Sequence, residues 1–290
     1  MQLPFYGRYI NLDRSRRRRA ALEQQLRALG IERAYARFQA VDGARISGRR
    51  GAISAREYGC FASHAQLIKE ACSTPAHLHV LEDDALLSPE FAPVVSQLLN
   101  RGVLDEFDLL YTDVFVSWDP LQIASLERAR RRNTGIDRRT GQESLQGVTV
   151  FDLRNKGMAC TSSYLVARRS LQRVAELLDS AMVAGPDRPV DLRLRDLVDS
   201  GALKAACLVP FVTSVALDPA AASTIRGDLT GPELSRLACT VLRHTFFVRP
   251  DWATIDRILE RYFPPAELTP RRRAVSRLTD FLTSGNAQAF

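Results

Sequence analysis

The sequence predicts an α/β fold in which a mainly parallel, doubly wound sheet is followed by a helical C-terminal appendage. Short apolar segments that favour strands alternate with amphipathic helical segments over residues 8–215, and this alternation is typical of parallel sheets covered by helices on both faces. From Thr230 onward the apolar spacing is only helical, with a helix cap expected at Asp251. Because 290 residues suffice for a large domain and a smaller one, the predicted domains are residues 1–229 and 230–290.

The first predicted unit consists of a strand, a helix and a second strand. Residues 8–12 are rich in β-branched and aromatic side chains, and a helix with regularly spaced leucines follows until Gly30. Residues 36–41 form the second strand, which runs into the turn pair Asp42 and Gly43. A carboxylate and a flexible backbone are therefore expected at the exit of this strand.

The later elements follow the same rhythm. A helix begins at the capping-box pair Ser54 and Glu57, and its apolar residues fall on one face. A basic segment over residues 126–140 is predicted to be a long loop or an exposed helix. Two more helices are expected, one carrying Leu171 and one introduced by Pro189. The remaining predicted strands cover residues 77–81, 107–114, 148–153, 164–166, 205–210 and 212–215.

The composition predicts a protein that stays in the cytoplasm. No apolar run approaches the roughly 20 residues that a membrane span needs, and the N-terminal residues lack the pattern of a signal peptide. The five cysteines show no CxxC pair and no Cys/His metal spacing. We therefore expect buried free thiols, as in a reducing compartment.

The formal charge of +7 indicates a basic surface, which would concentrate nucleic acid, an anionic membrane or a phosphorylated substrate. Nearly all of the positive charge is arginine, a bias that genome base composition alone can produce. A nucleic-acid-binding protein would explain the arginine runs at residues 16–19, 130–132 and 271–273, but no recognisable module accompanies them. Nucleic acid is therefore not expected as a partner.

The chemistry of the sequence concentrates in the three carboxylates of Glu82, Asp83 and Asp84, which follow a predicted strand. Adjacent carboxylates repel one another unless a cation or solvent screens them. In open α/β sheets, ligands bind beyond the carboxyl ends of the strands. Glu82 and Asp84 point to the same side of an extended chain, so they could hold a hard divalent cation that also bridges a diphosphate. A solvated acidic turn is the alternative.

Four segments of the chain resemble glycosyltransferase family 25, the lipopolysaccharide and collagen galactosyltransferases. They are YINLDRSRRR at residues 9–18 with AVDG at 40–43, YGCFASHAQLIKEA at 58–71, VLEDDALLSPEF at 80–91, and SSYLVARRSLQRV at 162–174 with PVD at 189–191 and STIR at 223–226. The second segment is similar to the Gly-Cys-x-x-Ser-His helix of that family. The resemblance covers roughly residues 8–226.

The resemblance implies a GT-A-like fold and transfer of a hexose, with galactose favoured, from a UDP-sugar to a glycan acceptor such as lipopolysaccharide core. It also implies inversion of anomeric configuration and a divalent cation, manganese or magnesium, held by Glu82 and Asp84. The residues expected to bind the donor are Asn11, Leu12, Asp42, Gly43, Ser63, His64, Asp83 and Arg226.

An inverting transfer also needs a base for the acceptor hydroxyl on the face opposite UDP. Asp191, at the start of a predicted helix and within the PVD match, is the candidate, although an aspartate there can equally serve as a helix cap. Residues 111–120 and 126–140 depart from the family pattern and are expected to shape the acceptor site. A lipid-linked acceptor would bring the enzyme into peripheral contact with the inner membrane face.

Two other classes of protein remain open at this stage. A metal-dependent phosphohydrolase could use the same acidic run, although a haloacid-type phosphatase would need a nucleophilic aspartate after the first strand, where the chain has Asn11 with Asp13 nearby. A scaffold that keeps the fold but has lost catalysis is the third reading.

Overall fold

The chain is built around a seven-stranded sheet, seen in a computed structural model that describes residues 3–116, 119–136, 143–157, 159–217 and 231–262. The strands in chain order are β1 (Phe5–Asn11), β2 (Tyr35–Gln39), β3 (His77–Glu82), β4 (Ala85–Leu87), β5 (Leu109–Tyr111), β6 (Thr134–Ile136), β7 (Glu143–Leu145), β8 (Thr149–Asp152), β9 (Ser163–Val166), β10 (Ala205–Val209) and β11 (Thr213–Val215).

The central sheet has the strand order β2-β1-β3-β9-β5-β10-β8. Strands β2, β1, β3, β5 and β10 run in one direction, while β9 and β8 run in the opposite direction. The prediction of a mainly parallel sheet is therefore confirmed. Strand β11 does not join this sheet. It pairs instead with β4 in a two-stranded sheet.

Helices cover both faces of the central sheet. They are α1 (Arg16–Ala28), α2 (Ala55–Ala71), α3 (Phe91–Asn100), α4 (Val103–Glu106), α5 (Pro120–Asn133), α6 (Leu171–Ala184), α7 (Val190–Asp199), α8 (Gly231–Thr245) and α9 (Trp252–Tyr262). Leucines, valines and aromatic residues of α2, α6 and α7 fill one core cluster, while those of α1 and α3 fill another. The sheet is thus doubly wound, as predicted.

Two local predictions about helices can be checked directly. The capping box opens α2 as expected, with Ser54 Oγ accepting from the Glu57 N–H and the Glu57 carboxylate accepting from the Ser54 N–H at 2.8 Å. The basic segment over residues 126–140 begins within α5, where Leu126 is fully buried. That helix is therefore packed on one side, and residues 137–140 lie outside the described part.

The C-terminal helices contact the sheet domain through buried side chains. Phe246 belongs to the core cluster of α2 and α6, and its ring lies 5.9 Å from that of Phe211. Asp251 caps α9 as predicted, since its carboxylate accepts from the Thr254 N–H at 3.0 Å. The boundary between residues 229 and 230 stays a prediction.

Two further expectations concern membranes and cysteines. Within the described ranges, every helix is too short or too polar to cross a bilayer. The five cysteines are free thiols as predicted, but only Cys207 and Cys239 are buried, whereas the other three are half-buried. One of these, Cys60, lies close to the polar side chains of His64 and Glu82.

Helix α2 packs unusually close to the chain that leaves β2, and two glycines allow this. A Cβ atom on Gly59 would lie 2.6 Å from the Val41 carbonyl oxygen and 2.7 Å from the Gly43 nitrogen. A Cβ atom on Gly43 would lie 1.8 Å from the Ala55 carbonyl oxygen. All of these contacts are with backbone, which cannot rotate away. The glycine of the YGC motif therefore holds the site loop against its helix.

Replacing Gly59 by alanine is expected to destabilise the protein by about 1–3 kcal/mol, because overpacking against backbone forces a shift. At an ordinary position inside a helix, replacing glycine by alanine would instead stabilise the protein, because alanine is favoured there by about 1 kcal/mol. Urea unfolding of both proteins measures the difference. Gly30→Asn is the control, because Gly30 has open space around it and a left-handed φ that asparagine tolerates. An unchanged or higher stability of Gly59→Ala would reject the close-packing argument.

Candidate active site

The predicted site residues gather where the parallel strands β1, β2 and β3 end. Asn11 lies opposite Gln39 of β2, and Ile10 lies opposite Glu82 of β3. Because parallel strands expose their carboxyl ends at one edge of the sheet, their exit loops share a common surface. The acidic run from Glu82 to Asp84 lies at the centre of this edge.

Asn11 is buried and links the end of β1 to the acidic run. Its amide nitrogen donates to Asp83 Oδ2 at 2.7 Å and to the Ser15 carbonyl oxygen at 3.1 Å. Its amide oxygen accepts from Arg37 Nε at 3.1 Å. All polar atoms of this side chain are therefore used within the protein. The neighbouring Leu12 is half-buried, and its carbonyl oxygen accepts from the Ser15 N–H.

Asp42 and Gly43 form the second rim of the site, at the exit of β2. The carboxylate of Asp42 pairs with Arg14 and with Arg45, the latter at 3.6 Å. The hydrogen bond from Arg14 lowers the pKa of Asp42, so this carboxylate is ionised at neutral pH. The Arg14 contact ties the loop after β1 to the loop after β2.

Ser63 holds this second rim from inside. Its hydroxyl donates to the Gly59 carbonyl oxygen at 2.6 Å and accepts from the Val41 N–H at 2.8 Å. Ser63 is buried, so its hydroxyl is occupied by the backbone of α2 and of the loop that carries Asp42. The geometry gives Ser63 a positioning task for that loop.

His64, the next residue of the same motif, faces the acidic run. Its Nε2 lies 3.3 Å from Glu82 Oε1, and its Nδ1 lies 2.8 Å from the hydroxyl of Tyr164. Glu82 Oε1 also accepts from Thr161 Oγ1 at 2.7 Å. Burial acts to raise the pKa of Glu82, but the hydrogen bonds of His64 and Thr161 outweigh it and the pKa lies below its ordinary value.

Asp84 has the opposite electrostatic situation. Burial, and then the negative charge of Glu82, raise the pKa of Asp84 to about 6. Its Oδ1 is buried and has no hydrogen-bond partner among the described residues. Arg18 is the nearest cation, 3.4 Å from Asp84 Oδ2 and 3.2 Å from Asp83 Oδ1, and its side chain is 60% exposed. The negative charge of the run is therefore poorly compensated.

This arrangement fits a hard divalent cation. Carboxylate oxygens are the ligands that manganese and magnesium prefer, and the buried Oδ1 of Asp84 is available for coordination. Residues 83 and 84 form a turn between β3 and β4, so the expectation of an extended chain from Glu82 to Asp84 is wrong. Asp84 would still hold such an ion, with Glu82 as the expected second ligand. Arg18 is exposed enough to move aside or to remain next to a bound diphosphate.

Asp191 lies in the first turn of α7, where the charge of Glu82 acts on it. Burial raises the pKa of Asp191, and the charge of Glu82 raises it further. The hydrogen bond from the Leu192 N–H lowers the pKa but does not outweigh these two effects. The helix N-terminus thus favours the ionised form of Asp191, whereas the charge of Glu82 favours the protonated form. The role of Asp191 as the base stays a prediction.

Three buried groups that local sequence patterns do not single out lie behind the acidic run. Arg243 of α8 donates to Asp113 and to Ser162, and Ser162 Oγ also donates to Asp113 Oδ1 at 3.2 Å. The Ser162 carbonyl oxygen accepts from the Glu82 N–H at 2.8 Å. A residue of the C-terminal helices therefore supports the strand that ends in the site. In the sequence, Asp113 could have been noticed because it follows β5 by two residues. No pattern around Arg243 indicates that this residue supports the site.

Two clefts lie outside this centre. One of about 680 Å³ is at the amino ends of β5 and β10, where Asp108 already accepts from Arg169 and from the Lys204 N–H. The other, of about 620 Å³, flanks the exit of β1 and is lined by Asp13, Arg16 and Arg37 among others. Neither is lined by the acidic run. Arg226, the last predicted donor-binding residue, lies outside the described residues.

A comparison with models of protein families finds a match for most of the chain. A family model described as "Glycosyltransferase family 25 (LPS biosynthesis protein)" matches residues 8–192. This span begins within β1, contains β2 to β9, the acidic run and Asp191, and ends before α8. No curated protein matches the chain.

Proposed function

Because this chain belongs to glycosyltransferase family 25, as its match over residues 8–192 shows, we propose that it transfers a hexose from a UDP-sugar to a glycan acceptor with inversion. Galactose is the favoured hexose, and lipopolysaccharide core is the favoured acceptor. The observation that carries the proposal is the poorly compensated carboxylate of Asp84 at the shared exit of β1, β2 and β3. Such an edge is where a doubly wound sheet binds a nucleotide.

The donor half of the proposal assigns the cation to Glu82 and Asp84. When bound there, manganese or magnesium would neutralise charge that develops on the departing diphosphate. Arg18 adds a positive charge at the same place, because it contacts both Asp83 and Asp84. The nucleotide would lie along the rim formed by Asn11, Leu12, Asp42, Gly43, Ser63, His64, Asp83 and Arg226.

These donor-site residues divide into two kinds by their contacts. Asn11 and Ser63 spend their polar atoms on the protein itself, so we propose that they shape the rim. Asp42 and Asp83 each pair with an exposed arginine at the surface of the rim, so we propose that they meet the ribose and base.

The acceptor half of the proposal places a base at Asp191, which would take the proton of the acceptor hydroxyl as the new glycosidic bond forms. A raised pKa makes this carboxylate a better proton acceptor near neutral pH than an ordinary aspartate. A lipid-linked acceptor would be met in the cytoplasm at the inner membrane face, where the net charge of +7 favours an anionic surface.

Phe115 is suited to bind the acceptor sugar. It is 42% exposed, whereas the other residues from 109 to 116 are buried. Its N–H donates to the Ala159 carbonyl oxygen at 2.9 Å, which fixes its backbone next to the segment that contacts Glu82. An exposed aromatic ring of this kind offers a flat apolar face for the C–H groups of a pyranose.

Replacing Phe115 by alanine is expected to raise the KM for the acceptor by about 2- to 10-fold, as expected for loss of an aromatic contact of about 0.5–1.5 kcal/mol. UDP affinity should not change, and Phe115→Tyr should retain most of the binding. Leu121→Ala is the control, since Leu121 is 68% exposed on α5. An acceptor KM unaffected by Phe115→Ala would remove this residue from the acceptor site.

The proposed function is tested by a donor screen. The protein is incubated with manganese or magnesium, a panel of nucleotide sugars and candidate glycan acceptors, and released UDP is measured. Acceptor-dependent UDP release from one UDP-sugar is the expected result. Release of phosphate would favour the phosphohydrolase, and release from no UDP-sugar with any acceptor would count against the proposal.

A further inference from the structure

One cluster at this edge has ligand chemistry of a different kind from that of a manganese site. Cys60, His64 and Glu82 each offer one ligand atom, and these three atoms lie within 4.8 Å of one another. We propose that they form a second metal site, selective for a thiophilic ion such as zinc, and that zinc bound there withdraws Glu82 from the catalytic cation. The inhibitory half of this inference rests on the proposed function, but zinc binding does not.

The backbone positions the three ligands rigidly. Cys60 and His64 are four residues apart on α2, which places them on the same face of the helix, one turn apart. Glu82 ends β3. His64 Nε2 and Glu82 Oε1 are 3.3 Å apart, about the spacing of two ligands in a tetrahedral zinc site with bonds of about 2.0–2.3 Å. Because the Cys60 thiol lies within 4.8 Å of the other two ligand atoms, binding zinc requires it to move by at most about 1 Å.

Two neighbouring hydroxyl groups hydrogen-bond to the ligands and orient them, as is usual around zinc sites. The Tyr164 hydroxyl lies 2.8 Å from His64 Nδ1, so Nε2 is the imidazole nitrogen directed at the cluster. Thr161 Oγ1 donates to Glu82 Oε1 at 2.7 Å. Ligating histidines almost always bond their other ring nitrogen in this way, and ligating carboxylates are themselves hydrogen-bonded.

The donor set explains the selectivity. A thiolate and an imidazole favour zinc, whereas manganese and magnesium prefer carboxylate oxygens. Three protein ligands leave the fourth position of a tetrahedral ion open. Glu82 is common to both sites, and its Oε1 already faces His64 of α2. A zinc ion held there would neutralise the charge that Glu82 would otherwise contribute to a cation at Asp84. Zinc should therefore weaken manganese-supported UDP binding.

The first experiment measures zinc alone on the full chain, kept metal-free and reduced, by competition with a chromophoric chelator. We expect one zinc per chain. Cys60→Ser should lower zinc affinity about 100-fold or more, since a hydroxyl replaces the thiolate, and Tyr164→Phe should lower it about 10-fold. Cys72→Ser is the matched control, because Cys72 lies at the end of the same helix but outside the cluster of Cys60, His64 and Glu82, and its thiol donates to the Ile68 carbonyl oxygen. It should bind zinc like the wild type.

Equal zinc affinity of the wild type and Cys60→Ser would overturn the site, and so would an equal loss in Cys72→Ser. Circular dichroism and melting temperature establish that each variant is folded. A second experiment titrates UDP with manganese in the presence of one equivalent of zinc. Zinc should lower UDP affinity in the wild type and in Cys72→Ser but much less in Cys60→Ser.

The two proposals fail in different ways. If the donor screen finds no transferase activity, the chelator experiment still decides whether zinc binds at Cys60. If the chelator experiment finds no zinc, the donor screen is unaffected. Zinc that binds through Cys60 without weakening UDP affinity would reject the shared role of Glu82.

Discussion

Replacing Asp84 by asparagine is expected to remove most transferase activity and to weaken manganese-dependent UDP binding strongly. The buried Oδ1 of Asp84 has no partner among the described residues, so it is the oxygen best placed to coordinate a cation. An amide keeps the shape of the side chain but removes its charge, and neutral amides bind hard divalent cations less well than carboxylates. Calorimetric titration of UDP with and without manganese measures the effect.

The same substitution should leave the fold intact or make it slightly more stable. Because the pKa of Asp84 is raised to about 6 in the folded protein, the native state binds this proton more tightly than the unfolded chain. Its contribution to stability is therefore lost as the pH rises from about 4 to about 6. An asparagine avoids that loss, so the melting temperature at pH 7 should not fall, and the difference from wild type should shrink near pH 4.

Asp179→Asn is the matched control for this experiment, because Asp179 is a carboxylate paired with Lys69 on the surface, away from the strand ends. It should bind UDP normally with manganese. Unchanged manganese-dependent UDP affinity in Asp84→Asn would move the cation elsewhere. A large drop in melting temperature would instead give Asp84 a structural role.

The parts of the fold that the sequence predicts are those set by local patterns. The capping box of Ser54 and the β-branched segments of β1 to β3 mark their own elements. The direction of β9 and β8 is not local, because an apolar strand buried between neighbours reads the same whichever way it runs. Likewise, nothing in residues 212–215 indicates that β11 pairs with β4 outside the sheet.

The same division applies to the site. Three adjacent carboxylates at a strand end are visible in the sequence, and so is the Ser63–His64 motif. The contacts that decide what they do come from distant positions: Arg243 lies 130 residues after Asp113, and Tyr164 lies 100 residues after His64. The expectation that the cysteines have no Cys/His metal spacing overlooks Cys60 and His64, which are four residues apart on α2, and only the fold supplies Glu82 as the third ligand.

The two possible roles of Asp191, helix cap and general base, predict different effects on stability and on rate. As a helix cap, it would be worth about 1 kcal/mol of stability and have little effect on turnover. As a general base, it would be worth about 10²- to 10⁴-fold in rate. The raised pKa of Asp191 favours the second role, because burial and the charge of Glu82 outweigh the helix N-terminus that would stabilise its ionised form.

Asp191→Asn is therefore expected to slow transfer by about 10²- to 10⁴-fold while leaving UDP affinity nearly normal, since a base acts on the acceptor hydroxyl and need not touch the nucleotide. A base must be ionised to accept a proton, so the wild-type rate should fall as the pH drops through the raised pKa, at higher pH than an ordinary aspartate would give. The residual activity of the mutant should lack this dependence on pH.

Glu57→Gln is the matched control, because Glu57 is a capping carboxylate in the first turn of α2. It should lower the melting temperature and spare turnover. If Asp191→Asn behaves like Glu57→Gln, with near-normal turnover and a lowered melting temperature, Asp191 is a cap and the base lies elsewhere.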